Sequence, residues 1–97
     1  MNVAMINTGF TALMSACQAG HLEIACELCA RGANVNAART ENGTTSLILA
    51  SYYGHLEIAH LLLQKGAYKS AMNIDGDTAF SVASGPYKDA LQALLKL

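Results

Sequence analysis

Five residues, Gly9-Phe10-Thr11-Ala12-Leu13, return as Gly43-Thr44-Thr45-Ser46-Leu47 and again as Gly76-Asp77-Thr78-Ala79-Phe80, 34 and then 33 positions on. A second block, Gly20-His21-Leu22-Glu23-Ile24-Ala25, recurs as Gly54-His55-Leu56-Glu57-Ile58-Ala59, and a third, Arg31-Gly32-Ala33, as Lys65-Gly66-Ala67. All three keep one register. Nothing else in the chain constrains its fold as tightly. A period of this length implies a supersecondary unit that cannot bury its apolar side alone and stacks on copies of itself.

Within each period the residues read as helix, turn, helix, loop. Thr11, Thr45 and Thr78 are placed to cap a short first helix, each hydroxyl accepting from an orphan backbone N–H. Leu13, Ala16 and Cys17, and then Leu47, Ala50 and Ser51, put small and apolar groups on one helical face. Gly20 and Gly54 end that helix, where a positive φ is commonly needed. A second helix is expected over Leu22–Ala30 and Leu56–Gln64, with Leu61, Leu62 and Leu63 as its buried side in the middle repeat. Gly32 and Gly66 close it.

This pattern resembles the ankyrin repeat, whose signature runs G-x-T-P-L-H, G-H-L-E-I-V and G-A-D-V-N-A over a period near 33. Gly20-His21-Leu22-Glu23-Ile24 together with Gly32-Ala33-Asn34-Val35-Asn36-Ala37 carries the match. The resemblance implies an all-α repeat solenoid of stacked helix-turn-helix units with short β-hairpin loops, the fingers. It divides the chain into one domain of three repeats, about 6–39, 40–72 and 73–97, the last a C-terminal cap. The signature's Pro is replaced by Ala12, Ser46 and Ala79, and its His by Met14, Ile48 and Ser81. Losing both should make the helix starts less rigid. One extra residue between Gly32 and Gly43, relative to the interval from Gly66 to Gly76, should bulge the first full finger around residues 39–42.

The two ends of the stack differ. Leu22 and Leu56 correspond to Asp89, Ala25 and Ala59 to Gln92, and Cys29 and Leu63 to Lys96, so positions facing a following repeat have turned polar, as a terminal repeat requires. Pro86 should cut the first helix of this unit short. Residues 1–7 read instead as the tail of a preceding finger. Two explanations stand side by side: a piece of a longer array, or a first repeat that packs on another copy or a partner. A monomer is expected, with association through this uncapped N-terminal face.

Composition removes several functions. At 97 residues there is room for one compact unit. With 53% hydrophobic and 13% charged residues, against roughly 25% charged in an ordinary domain, a packed core is expected. A net charge of −1 offers no electrostatic footprint for nucleic acid or anionic lipid. Residues 1–22 lack Lys, Arg, Asp and Glu, but Asn7, Thr8 and Gly9 interrupt any signal-like apolar run. No stretch reaches the ~18 apolar residues of a membrane span. Three cysteines, an odd number at apolar-face spacing, fit a reducing compartment, and the expected location is cytoplasmic.

Cys17, His21, Cys26 and Cys29 are zinc-ligand types within a short span. Their register counterparts are Ser51, His55, His60 and Leu63, so two of the four positions carry a small or apolar non-ligand elsewhere in the chain. Packing is the preferred reading, with Cys17 and Cys29 buried and Cys26 nearer the surface, and no metal or other cofactor is expected. Catalysis needs a nucleophile, a base and an orienting group in reach of each other. Glu23 and Glu57 belong to the repeat motif on the outer helices, and His60 has no acidic neighbour four residues away. No enzyme is expected.

The resemblance implies partner binding through the finger tips and the exposed side of the first helices, the concave surface. Positions flanking the finger glycine and preceding the helix-turn glycine give Phe10, Thr44, Tyr52, Tyr53, Met72, Ile74 and Asp77 as the partner-binding set. Tyr and Phe supply rigid amphipathic contact area, and Met an adaptable one. The expected function is a protein-interaction module. A stoichiometric inhibitor of a partner enzyme and a structural spacer of a longer array are the alternatives. Tyr52 and Tyr53 covering neighbouring helices is the plainer account of that pair. Tyr68 stands where the family has Asp, with no function assigned.

Overall fold

In a computed structural model, which describes residues 11–96, these residues form six helices: α1 (Ala12–Ala19), α2 (Leu22–Ala30), α3 (Ser46–Tyr52), α4 (Leu56–Gln64), α5 (Ala79–Val82) and α6 (Lys88–Leu95). The three threonines start the first helix of each pair. Thr11, Thr45 and Thr78 are extended, and their hydroxyls accept from the N–H groups of Met14, Ile48 and Ser81 at 3.2, 3.3 and 3.2 Å. At α5 the Ser81 hydroxyl accepts in return from the Thr78 N–H at 2.9 Å, closing a capping box. Replacing the family's His by Ser therefore adds a contact at this helix start, where a looser one was expected. Met14 and Ile48, at the same position, are buried.

The turns between paired helices depend on glycine for two reasons at once. Gly20 and Gly54 have φ of +82° and +76°, a left-handed conformation that costs an L-residue. A Cβ on Gly20 would lie 2.7 Å from the His55 ring, and one on Gly54 would lie 2.8 Å from the Ser84 carbonyl oxygen. Each turn is thus a place where the next repeat comes close.

The pairs stack in two rows. Helices α1, α3 and α5 are neighbours along an inner row, and α2, α4 and α6 along an outer one. The core lies between them, from Leu13, Ala16 and Cys17 through Leu47 and Ala50 to Leu91 and Leu95. The Leu61-Leu62-Leu63 run needs correcting. Leu62 is fully buried, whereas Leu61 and Leu63 are half-buried on its flanks. Consecutive helical residues point about 100° apart, so three in a row cannot share one face. Cys29 is likewise half-buried, while Cys17 is buried and Cys26 exposed.

Hairpin character in the fingers is limited, among the described residues, to one antiparallel bridge, Ala38 to Thr45. The Arg39 N–H donates to the Thr44 carbonyl at 2.9 Å, leaving residues 40–43 at the tip. In the next finger the Asn73 N–H donates to the Asp77 carbonyl at 3.0 Å, leaving residues 74–76. The extra residue of the first finger is therefore absorbed in its tip, as the spacing predicted. Side chains and backbone join successive repeats. Asn36 donates to the Gly66 carbonyl at 3.1 Å and accepts from the Tyr68 N–H at 2.9 Å. His55 Nε2 lies 3.2 Å from the Gln18 carbonyl, which can only accept, so the ring donates. In the third repeat α5 is four residues long, Asp89 is exposed on α6, and Lys96 is exposed just past its end.

Candidate partner-binding surface

The end of the inner helix α3 places Tyr52 and Tyr53 one after the other at the edge of the stack. Both rings face solvent, 56% and 48% exposed, so neither is absorbed in covering a neighbouring helix. Their centroids are 4.9 Å apart at an interplanar angle of 85°, an edge-to-face pair. The third repeat fixes the backbone beneath them, since Ser84 Oγ donates to the Tyr52 carbonyl and the Ser84 N–H to that of Ser51. The backbone that carries the two rings is thereby tied to the third repeat. Gln18 and Ala19, their counterparts in the first repeat, are exposed too.

The second finger adds two apolar side chains. Met72 and Ile74 are 60% and 75% exposed. Asn73 organises the tip between and beyond them: its Oδ1 accepts from the N–H groups of Asp75 and Asp77 at 2.9 and 3.0 Å. The Ile74 N–H donates to the Asn42 carbonyl at 2.9 Å, pinning this finger to the one before it. Asp77 is half-buried.

Thr44 does not belong with these residues. It is 8% exposed, because the following finger packs against the glycine beside it, with Asn73 Cα 3.4 Å from where a Gly43 Cβ would lie. The expectation came from its position next to the finger glycine, which takes no account of the neighbouring finger. Phe10 lies outside the described residues. Tyr68, Tyr87 and Phe80 are exposed and were not in the expected set. Phe80 occupies the register of buried Leu13 and Leu47, so its sequence position gave the opposite signal.

The outer row carries an open groove of about 810 Å³ between α2, α4 and α6, walled by Leu22, Leu56, Leu61 and Leu94. Cys26, Glu57 and His60 lie along it. The thiols differ sharply in chemistry. Burial pushes the Cys17 thiol up to about 12, and burial also raises Cys29, with the Lys65 charge opposing that rise. Among the described residues no three His, Cys, Asp or Glu side chains are gathered to hold a metal ion, and no helix is long and apolar enough to cross a membrane.

A family model described as ankyrin repeats (3 copies) matches residues 1–73. A search of curated proteins finds no match.

Proposed function

Because the chain belongs to the ankyrin repeat family, we propose that it is a protein-binding module whose recognition patch is centred on Tyr52 and Tyr53, with Met72, Ile74 and Asp77 of the second finger. Ankyrin repeats generally act as protein–protein interaction modules and are typically non-catalytic. The observation that carries the choice of patch is the exposed edge-to-face tyrosine pair on a backbone anchored by the next repeat. Large rigid rings held outward have little other use, and they are the side chains that most often dominate binding energy. The same proposal makes no use of the outer groove or of any thiol. It places the module in the cytoplasm, in keeping with three unpaired cysteines.

The test is a titration against a partner captured on the immobilised chain. Replacing Tyr52 and Tyr53 together by Ala should weaken binding by about 2 kcal/mol or more, the usual size of a hot-spot loss, with the melting temperature little changed. Undiminished binding by the folded double variant would remove the patch and move the contact elsewhere on the module, whereas a chain that captures no partner would favour the spacer reading. If the partner is an enzyme, an activity assay with and without the chain separates inhibition from simple tethering.

A further inference from the structure

Charge is divided unevenly between the two rows. Five of the six basic residues lie toward the outer one. Arg31 and Lys65 cap the ends of α2 and α4, Lys88 opens α6, Lys96 follows it, and Lys69 reaches the Lys96 carbonyl at 3.5 Å. The inner helices α1, α3 and α5 carry no charged residue. Charge along the inner row therefore comes from the finger tips. In the first finger Arg39, the sixth basic residue, pairs with Glu41 at 2.8 Å. In the second, Asp75 is exposed and Asp77 half-buried, and among the described residues no basic side chain pairs with either. Two carboxylates are thus left without a counter-charge on the row that carries the tyrosine pair. The exposure of that pair does not come from a missing neighbour, since α3 packs between α1 and α5.

Resting on the tyrosine patch proposed above, we propose that the partner presents an extended, arginine-bearing segment. One guanidinium lies on a tyrosine ring, and a second basic group meets the Asp75–Asp77 finger tip. The rings suit a cation. In an edge-to-face pair one ring turns its edge to the other and keeps its own faces clear of it. A ring face attracts a cation placed over it, most often arginine, whose flat guanidinium stacks there. The spacing suits an extended chain. Tyr52 stands six residues, roughly 9 Å, past the start of α3. The second finger leads into the neighbouring helix α5, about 8–10 Å across. The two anchors are then about 13 Å apart, four residues of extended chain at ~3.3 Å each. Met72 and Ile74, exposed on the same finger, add apolar contact for the side chains between. Other segments fit worse. An acidic one meets like charge at the finger, and the one basic side chain of the fingers, Arg39, is already paired with Glu41. A neutral one takes water from Asp75 and Asp77 and returns no counter-charge.

Selection of displayed random peptides on the immobilised chain tests it. Recovered sequences should be enriched in arginine at two positions about four residues apart, and depleted in Asp and Glu, relative to the starting library. A recovered peptide, labelled and titrated by fluorescence anisotropy, should lose about tenfold in affinity when its arginines become Gln, and less when they become Lys. The Asp75→Asn, Asp77→Asn chain should bind it about tenfold more weakly and with a flatter dependence on salt, because exposed charges are screened as salt rises. Replacing Tyr52 and Tyr53 by Leu, which keeps apolar bulk without a ring face, should weaken the arginine peptide more than its Gln counterpart. Recovered peptides that lack basic residues yet need both tyrosines would overturn the cationic assignment and leave the tyrosine patch standing. Arginine peptides that bind equally well without the tyrosines would remove the patch itself. A selection that yields no binder, or binders indifferent to both Asp75→Asn and Asp77→Asn, would also overturn the proposal.

Discussion

Cys17 and Ser51 hold the same place in successive inner helices, and each is fully buried. Cys17 suits the site: an uncharged thiol loses little on leaving water, and burial raises its pKa from 9.0 to about 12. That shift has a sign. Between pH 9 and 12 the unfolded thiol has released its proton and the folded one has not, so stability is complete below pH 9 and declines as pH rises through that window, by at most about 1.4 kcal/mol per unit. Thermal melts of wild type and Cys17→Ser should run parallel below pH 9 and converge above it, a convergence that other titrating groups, common to both, do not produce. Alkylation should separate the thiols as well, with exposed Cys26 modified in the folded chain and Cys17 only on unfolding. Ser51 suits its site badly, for its hydroxyl is buried with no hydrogen-bond partner. Ser51→Ala should raise stability by about 1 kcal/mol, the cost of an unsatisfied polar group relieved. A melting curve that fell would mean that the hydroxyl has a partner.

Helix bounds were legible because stop and start signals coincide with the repeat. Threonine caps, glycine turns and the register together placed α2 and α4 at their observed limits. What the register could not convey was which residue of an apolar run faces inward, since Leu61, Leu62 and Leu63 look alike to any count of hydrophobic positions. Truncation should expose the difference. Leu62→Ala should cost roughly 2–5 kcal/mol through the cavity left in the core, and Leu61→Ala, on the groove wall, less than half as much. Equal losses in chemical denaturation would mean that the two leucines are packed alike. At the turn, Gly54→Ala combines a disfavoured φ with a clash against Ser84 backbone, which no side-chain rotation can relieve. It should destabilise by more than the ~1 kcal/mol of an ordinary left-handed substitution.

Across the whole molecule, the order of repeats was readable from the amino-acid sequence and the exposure of individual residues was not. Tyr52, Tyr53, Met72 and Ile74 came out where the finger and helix registers put them. Thr44 did not, because burial there depends on the following finger, a contact made between repeats. Asp89 and Lys96 are exposed beside the outer row, and Phe80 on the inner row has 40% of its surface exposed. Converting Asp89 and Lys96 to Leu should therefore join the outer row to an apolar patch already present and drive self-association, visible as larger species in light scattering; unchanged size would show that those two charges do not limit association. The one-residue difference between the two finger tips has an evolutionary consequence. Residues 40–43 and 74–76 turn the chain over different lengths while the helices behind them keep the same stacking partners. Loop closure grows only slowly with length, about 0.6 kcal/mol for each doubling. Insertions and deletions at these tips can therefore accumulate over generations without shifting the frame of the stack, and descendants of this sequence could diversify what they grip while inheriting the grip's scaffold intact.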